Sequence, residues 1–201
     1  MTDRSGIFAG DDPFAIARRW LAEATAAETS DPDAAALATV DSDGLPDVRV
    51  VLVRQIGSDG LTFFTNYNSA KGQELIAAGK AALNFHWKSL RRQMRFRGTV
   101  SKASAEVSDA YFTKRHPISR LGAWASNQSR PLKNRAELET RVETMRERFG
   151  DNAPRPPYWG GFVLVPSQIE LWSDGQNRLH DRFRWVRPSE EADWSVDRVN
   201  P

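Results

Sequence analysis

The sequence predicts a mainly β protein, an antiparallel barrel with helices at its periphery. Three observations lead there. Short β-branched or alternating runs recur along the chain, separated by turn signals such as Asp41-Ser42-Asp43-Gly44 and Ser58-Asp59-Gly60. Helical stretches interrupt the hairpins but do not alternate strand by strand, so the βαβ pattern of a parallel sheet is missing. The 201 residues, with seven Trp and ten Phe, are enough to fill one core.

Residues 1–10 read as a mobile arm with Ile7 and Phe8 as anchors, and 11–201 as a single domain. Asp12-Pro13 opens a helix, a capping carboxylate followed by proline at the first helical position. Phe14, Ala17, Leu21 and Ala24 then share one face, and Ser30-Asp31-Pro32-Asp33 ends the helix. Ala36–Val40, Val48–Arg54 and Leu61–Thr65 are strands joined by the two turns above. Asn68 or Ser69 caps a short helix that starts near Ala70 and runs to Ala78. Ala81–Trp87 and Arg91–Val100 follow as strands. In the second, Gln93, Arg95 and Arg97 alternate with Met94 and Phe96, so one face is polar. Ser104 caps a helix to about Lys114, and a break at 115–119 precedes a shorter helix through Trp124. After Pro131, Leu138, Val142, Met145 and Phe149 make a helical stripe expected to be core, stopped by Gly150. Residues 151–161 form a Pro- and Gly-rich connection. Gly161–Trp172, Arg182–Arg187 and Trp194–Val199 complete about seven strands.

Composition removes several function classes. Lys plus Arg number 28 against 26 Asp plus Glu, a balance that does not fit a nucleic-acid binder. The absence of Cys excludes disulfides and thiolate chemistry, and three scattered His argue against a metal site. No apolar run reaches membrane-spanning length, and the start lacks a signal-peptide pattern; a soluble cytoplasmic protein is expected. Dinucleotide, Walker and nucleophile-elbow motifs are absent, and adjacent His180 and Asp181 do not make a triad.

Two clusters remain. Arg49, Arg54, Thr65, Ser69 and Lys71 converge near a helix N-terminus, where free amides favour an anion. A hairpin with solvated charges gives the same pattern. Arg49 and Arg54 also differ in parity, so an ideal strand sends them to opposite faces unless a bulge or a spanning ligand intervenes. In Arg178-Leu179-His180-Asp181-Arg182, the first, third and fifth residues share a face if the chain is extended. A charged hairpin end, with Asp181 pairing Arg182, reads equally well.

Together RVVLVR (49–54), FFTNYNSAK (63–71), HWKSLRRQ (86–93), YFTKR (111–115), GAWASNQS (122–129), YWGGF (158–162), IELW (169–172), RLHDRF (178–183) and DRVNP (197–201) resemble the pyridoxine (pyridoxamine) 5′-phosphate oxidase family, in order from about Asp11 to Pro201. The resemblance implies an FMN-binding split β-barrel, a homodimer with FMN between subunits. It implies oxidation of pyridoxamine or pyridoxine 5′-phosphate to pyridoxal 5′-phosphate, with O2 as acceptor and hydrogen peroxide as by-product. By position, Arg49, Ser69 and Lys71 would hold the FMN phosphate. Val50, Val51, Leu52, Phe64, Thr65, Gln93, Gln128, Ser129, Trp172 and Arg182 would complete the flavin site. Arg54, Tyr111, Arg115 and Ser119 would hold the substrate phosphate, with Arg178 and His180 over the substrate ring as the catalytic pair. The chain departs from the family where Arg54 replaces Lys, Phe64 replaces Tyr, Ala70 replaces Arg and RHPIS (115–119) replaces R-P-R-D-S. Those departures keep two alternatives in view: a split-barrel flavoprotein with another substrate, and a non-catalytic flavin or pyridoxal-phosphate binder.

Overall fold

Eight strands form one antiparallel sheet in this computed structural model, which describes residues 4–58 and 60–201. They are β1 (Ala34–Val40), β2 (Pro46–Ile56), β3 (Leu61–Asn66), β4 (Lys80–Trp87), β5 (Arg92–Lys102), β6 (Trp159–Ser173), β7 (Asp181–Val186) and β8 (Ser195–Arg198). Their order is β3-β2-β1-β4-β5-β6-β7-β8, and β3 also pairs with β6. That extra pairing closes six strands into a barrel, while β7 and β8 extend from β6 as a flap. The expected antiparallel barrel is therefore present.

The interior follows from strand alternation. Leu37, Phe63, Leu83, Phe85, Met94, Phe96, Phe162, Leu164, Ile169 and Leu171 point inward and are fully or almost fully buried. Five helices surround the barrel: α1 (Pro13–Ala27), α2 (Ala70–Ala78), α3 (Ala105–Thr113), α4 (Pro117–Ala125) and α5 (Arg135–Phe149). The caps read from sequence are made. Asp12 accepts from the Phe14 amide, Ser69 from Gly72 and Ser104 from Val107. Among the described residues no helix is long and apolar enough to cross a membrane.

Several expectations change. The α5 stripe is not core: none of its residues is buried, and Leu138, Val142, Met145 and Phe149 are only half covered. This helix packs on α4, where Phe149 meets Trp124 at 4.9 Å between ring centroids, not on the barrel. Residues 4–10 are docked: Phe8 is buried between Trp20 (5.3 Å) and Phe183 (4.8 Å), and the Trp20 indole donates to the Ile7 carbonyl at 2.8 Å. The 58–60 turn includes Asp59, outside the described residues; a Gly57 N–H to Gly60 carbonyl bond of 2.9 Å spans it.

The β2–β3 register slips between Val53 and Gln55, so Arg54 is the extra residue of a bulge. The bulge does not bring the two arginines together: Arg54 pairs with Asp33, and Arg49 with Asp47 and Glu74. A second register shift, at Arg97/Gly98, brings the Gly98 backbone onto β6. A Cβ at Gly98 would collide with the Val165 carbonyl oxygen and approach the Pro166 Cα to 2.6 Å. Gly98→Ala should therefore destabilise the barrel by about 1–3 kcal/mol, lowering Tm by on the order of 2–4 °C per kcal/mol in a thermal melt.

Candidate functional site

A cleft of about 550 Å³ opens beside the β2–β3 edge, between the barrel and helices α3 and α4. That volume is in the range of small-molecule and cofactor sites. Strand β2 contributes Val50, Val51, Leu52 and the bulged Arg54; β3 contributes Phe64 and Thr65; α2 contributes Lys71. Tyr111, Arg115, Ser119 and Gln128 close the other side. Eleven residues named from the sequence thus meet in one place.

One wall is aromatic. Phe64 stacks on Tyr111 with centroids 3.9 Å apart and planes 10° from parallel, and Trp159 lies parallel to both. Two guanidiniums sit over this wall, Arg54 at 5.9 Å from the Tyr111 ring and Arg115 at 4.7 Å from the Trp159 ring. Arg54 is held at its other end by Asp33, at 2.7 Å. Arg115 is different: its NH1 is buried and has no hydrogen-bond partner. Burial lowers its pKa from the ordinary arginine value, and the like charge of Arg54 lowers it further while Tyr111 opposes. A buried unpaired donor is costly, so this one is built for an acceptor that arrives with a ligand. Two converging guanidiniums fit a phosphate dianion.

Lys71 is the third cation. Its Nζ donates to Gln128 Oε1 at 2.9 Å, and the Thr65 hydroxyl lies 3.4 Å from the same oxygen. Burial lowers the Lys71 pKa, and Arg49 adds to that, against Glu74 and Asp47.

The remaining predicted residues fall elsewhere. Arg49 does not line the cleft. Its guanidinium is engaged by Thr39, by Asp47 at 2.5 Å and by Glu74 at 3.0 Å. Ser69 is fully buried and its hydroxyl caps α2 while donating to the Asn66 carbonyl. Ser129, in a left-handed conformation (φ 68°), lies along a groove with Glu74 and Arg130. Gln93, Trp172 and Arg182 share a second cleft of about 220 Å³, on strands β4 to β7, with Asn84, Arg95 and Glu170. His180 leans on Trp172 at 4.7 Å, and its Nδ1 lies 3.2 Å from the Gly175 amide and 3.0 Å from Asp174 Oδ1. The extended reading of 178–182 does not hold: Gln176–Arg178 is a 3₁₀ turn, with Asn177 (φ 55°) and Arg178 (φ 64°) left-handed. Parity therefore does not place Arg178 on one face with His180.

Sequence reasoning missed Asn66, Lys114, His116 and Trp159, which line the main cleft. Asn66, Lys114 and Trp159 stand inside the segments FFTNYNSAK, YFTKR and YWGGF and were legible there. His116 follows Arg115 and carried no periodic signal.

The chain is similar to known proteins along nearly all of its length. Residues 21–149 match the family described as pyridoxamine 5′-phosphate oxidase. Residues 159–201 match that described as the pyridoxine 5′-phosphate oxidase C-terminal dimerisation region. The pyridoxine/pyridoxamine 5′-phosphate oxidase of Roseobacter denitrificans is 55% identical over 201 residues, covering all of both chains. The crystal structure of PhzG from Burkholderia lata 383, in complex with tetrahydrophenazine-1-carboxylic acid, superposes with a TM-score of 0.89 at 31% identity, covering 96% of this chain and 94% of that one. A pyridoxamine 5′-phosphate oxidase-related, FMN-binding protein from Nostoc punctiforme shares the fold, with a TM-score of 0.76 at 19% identity over 96% of this chain and all of that one.

The Lys71 shift makes a prediction with a definite sign. Folding lowers its pKa, so just below the ordinary value of 10.5 the folded chain binds fewer protons than the unfolded one, and stability contributed by this group rises with pH there. At neutral pH the buried charge is a cost. Lys71→Met should stabilise the ligand-free protein by about 0.5–2 kcal/mol while weakening anion binding, measured by paired melts with and without ligand.

Proposed function

The chain belongs to the pyridoxamine 5′-phosphate oxidase family, and from that premise we propose that it oxidises pyridoxamine or pyridoxine 5′-phosphate to pyridoxal 5′-phosphate, with FMN as cofactor and O2 as acceptor. The observation that carries this reading is Arg115, a half-buried cation with a buried, unpartnered NH1, which lines the cleft with Arg54 beside parallel rings. A ligand with a phosphate and a flat ring supplies what that corner lacks.

In this reading Arg54, Arg115, Tyr111 and Ser119 grip the substrate phosphate. Lys71, Thr65, Gln128 and the β2 segment Val50–Leu52 hold the flavin, and Arg49, Ser69 and Ser129 support its phosphate end. Arg49 does so only by exchanging or sharing its contacts with Asp47 and Glu74. Bound FMN would supply the redox chemistry: acceptance of a hydride, and transfer of two electrons, with two protons, to O2 to give hydrogen peroxide. The protein aligns the two rings and excludes water. Arg178 fixes the substrate ring, and His180 orients the substrate by hydrogen bonding.

Gln93, Trp172, Arg178, His180 and Arg182 sit apart from the main cleft in one chain. We read the protein as a homodimer in which the partner copy brings this second half-site against the first. Trp172 to Arg182 lie within the segment that matches a dimerisation region. The proposed compartment is the cytoplasm.

Loaded with FMN and given pyridoxamine 5′-phosphate under air, the protein should release pyridoxal 5′-phosphate and peroxide; a flavin-loaded protein without turnover would refute the reading. Arg115→Ala should raise KM roughly 10- to 150-fold, the loss of a charged hydrogen bond worth about 1.5–3 kcal/mol, with FMN retained. Arg178→Ala should also keep FMN but lower kcat by on the order of 10²-fold through misalignment.

A further inference from the structure

The second cleft contains a carboxylate to which the reading above gives no role. Glu170, on β6, is only 5% exposed. Arg95 donates from NH2 to its Oε2 at 2.8 Å, and Arg182 donates from NH2 and Nε to its Oε1 at 2.8 and 3.2 Å. Arg182 is tied at its far nitrogen as well, NH1 donating to the Asn200 carbonyl at 2.8 Å. Strand register builds the cluster: Arg95 stands opposite Glu170, Gln93 opposite Trp172, and Trp172 opposite Arg182. Arginine side chains have many rotamers, and two like charges repel. The shared carboxylate overcomes both effects and fixes the pair in one arrangement.

We propose that Glu170 is a positioning residue for the flavin: it holds Arg95 and Arg182 at the cleft and sets the cleft's formal charge at +1. This rests on the FMN reading above. Two guanidiniums against one carboxylate leave a single net positive charge among Asn84, Gln93, Arg95, Glu170, Trp172 and Arg182. A flavin ring becomes richer in electrons on reduction, so a fixed positive charge beside it favours the reduced form. The carboxylate limits that preference to one charge's worth and keeps the guanidinium of Arg182 aimed. Cofactor affinity and cofactor potential are thereby set by the same three side chains.

Two substitutions move the charge in opposite directions. Glu170→Gln keeps the shape and raises the formal charge to +2. Arg95→Gln lowers it to zero, and the Arg95 side chain is 43% exposed, so the fold tolerates the change. Purified holoprotein is titrated with a reductant and a reference dye, without substrate and without oxygen, and FMN affinity is followed separately by fluorescence. Relative to wild type, Glu170→Gln should favour reduced over oxidised FMN about tenfold, which for a two-electron couple is about 30 mV more positive. Arg95→Gln should shift the potential the other way. Variants that bind FMN at the wild-type potential would overturn the role of Glu170 and leave the oxidase reading standing. If Glu170→Gln does not fold, the Arg95→Gln shift decides alone. A wild-type protein that stays colourless with excess FMN would overturn the flavin reading, and this assignment with it.

Discussion

Six residue pairs between β3 and β6, from Leu61 with Leu164 to Asn66 with Trp159, turn a sheet into a barrel. The main cleft depends on that seam. It sets Phe64 beside Trp159, and α3, following β5, lays Tyr111 against the same rings. The seam is possible because β6 begins Trp159-Gly160-Gly161. A side chain at Gly160 would strike the Tyr67 hydroxyl, and one at Gly161 would come within 2.8 Å of the Ala103 Cβ and 3.0 Å of the Phe64 ring. Glycine is required here for close approach of neighbours, not for an unusual backbone angle.

Charge is arranged around the seam with little surplus. Four arginines of the region are tied to carboxylates: Arg54 to Asp33, Arg49 to Asp47 and Glu74, Arg182 and Arg95 to Glu170. Arg115 breaks the pattern, with rings beneath it and no acid. An isolated buried charge of this kind is destabilising in the empty protein and is compensated when an anion enters. Binding energy is concentrated where the empty structure is least satisfied.

Much of this was legible in the residues, and the failures have causes. Hairpin turns, capping side chains and strand alternation are local, so the strands and the capped helices could be read within a few residues. The α5 stripe misled because periodicity reports a face, not what lies against that face; α4 covers it, and the barrel does not. Arg54 obeyed parity despite the bulge, lining the main cleft with Val50 and Leu52 while Arg49 stays outside it. Arg178 defied it because two consecutive left-handed residues, neither of them glycine, replace the extended chain. Site residues in quoted segments converged as a group, whereas Glu170 stood in the quoted IELW and was passed over. Its importance lies in two arginines on the strands either side of it, a relation that only the folded register creates.

Phe8 lies against Phe183, and Trp20 against Phe8, so the first helix shares its apolar contacts with the seventh strand. More than 170 residues of chain separate those two rings. During synthesis the aromatic face near the amino end has no lasting cover until almost the entire polypeptide has left the ribosome. Non-local closure of this kind is slow, and an unfinished chain shows a greasy surface that invites chaperones meanwhile. Completion of the last hairpin is thus the moment at which the newborn protein stops being sticky.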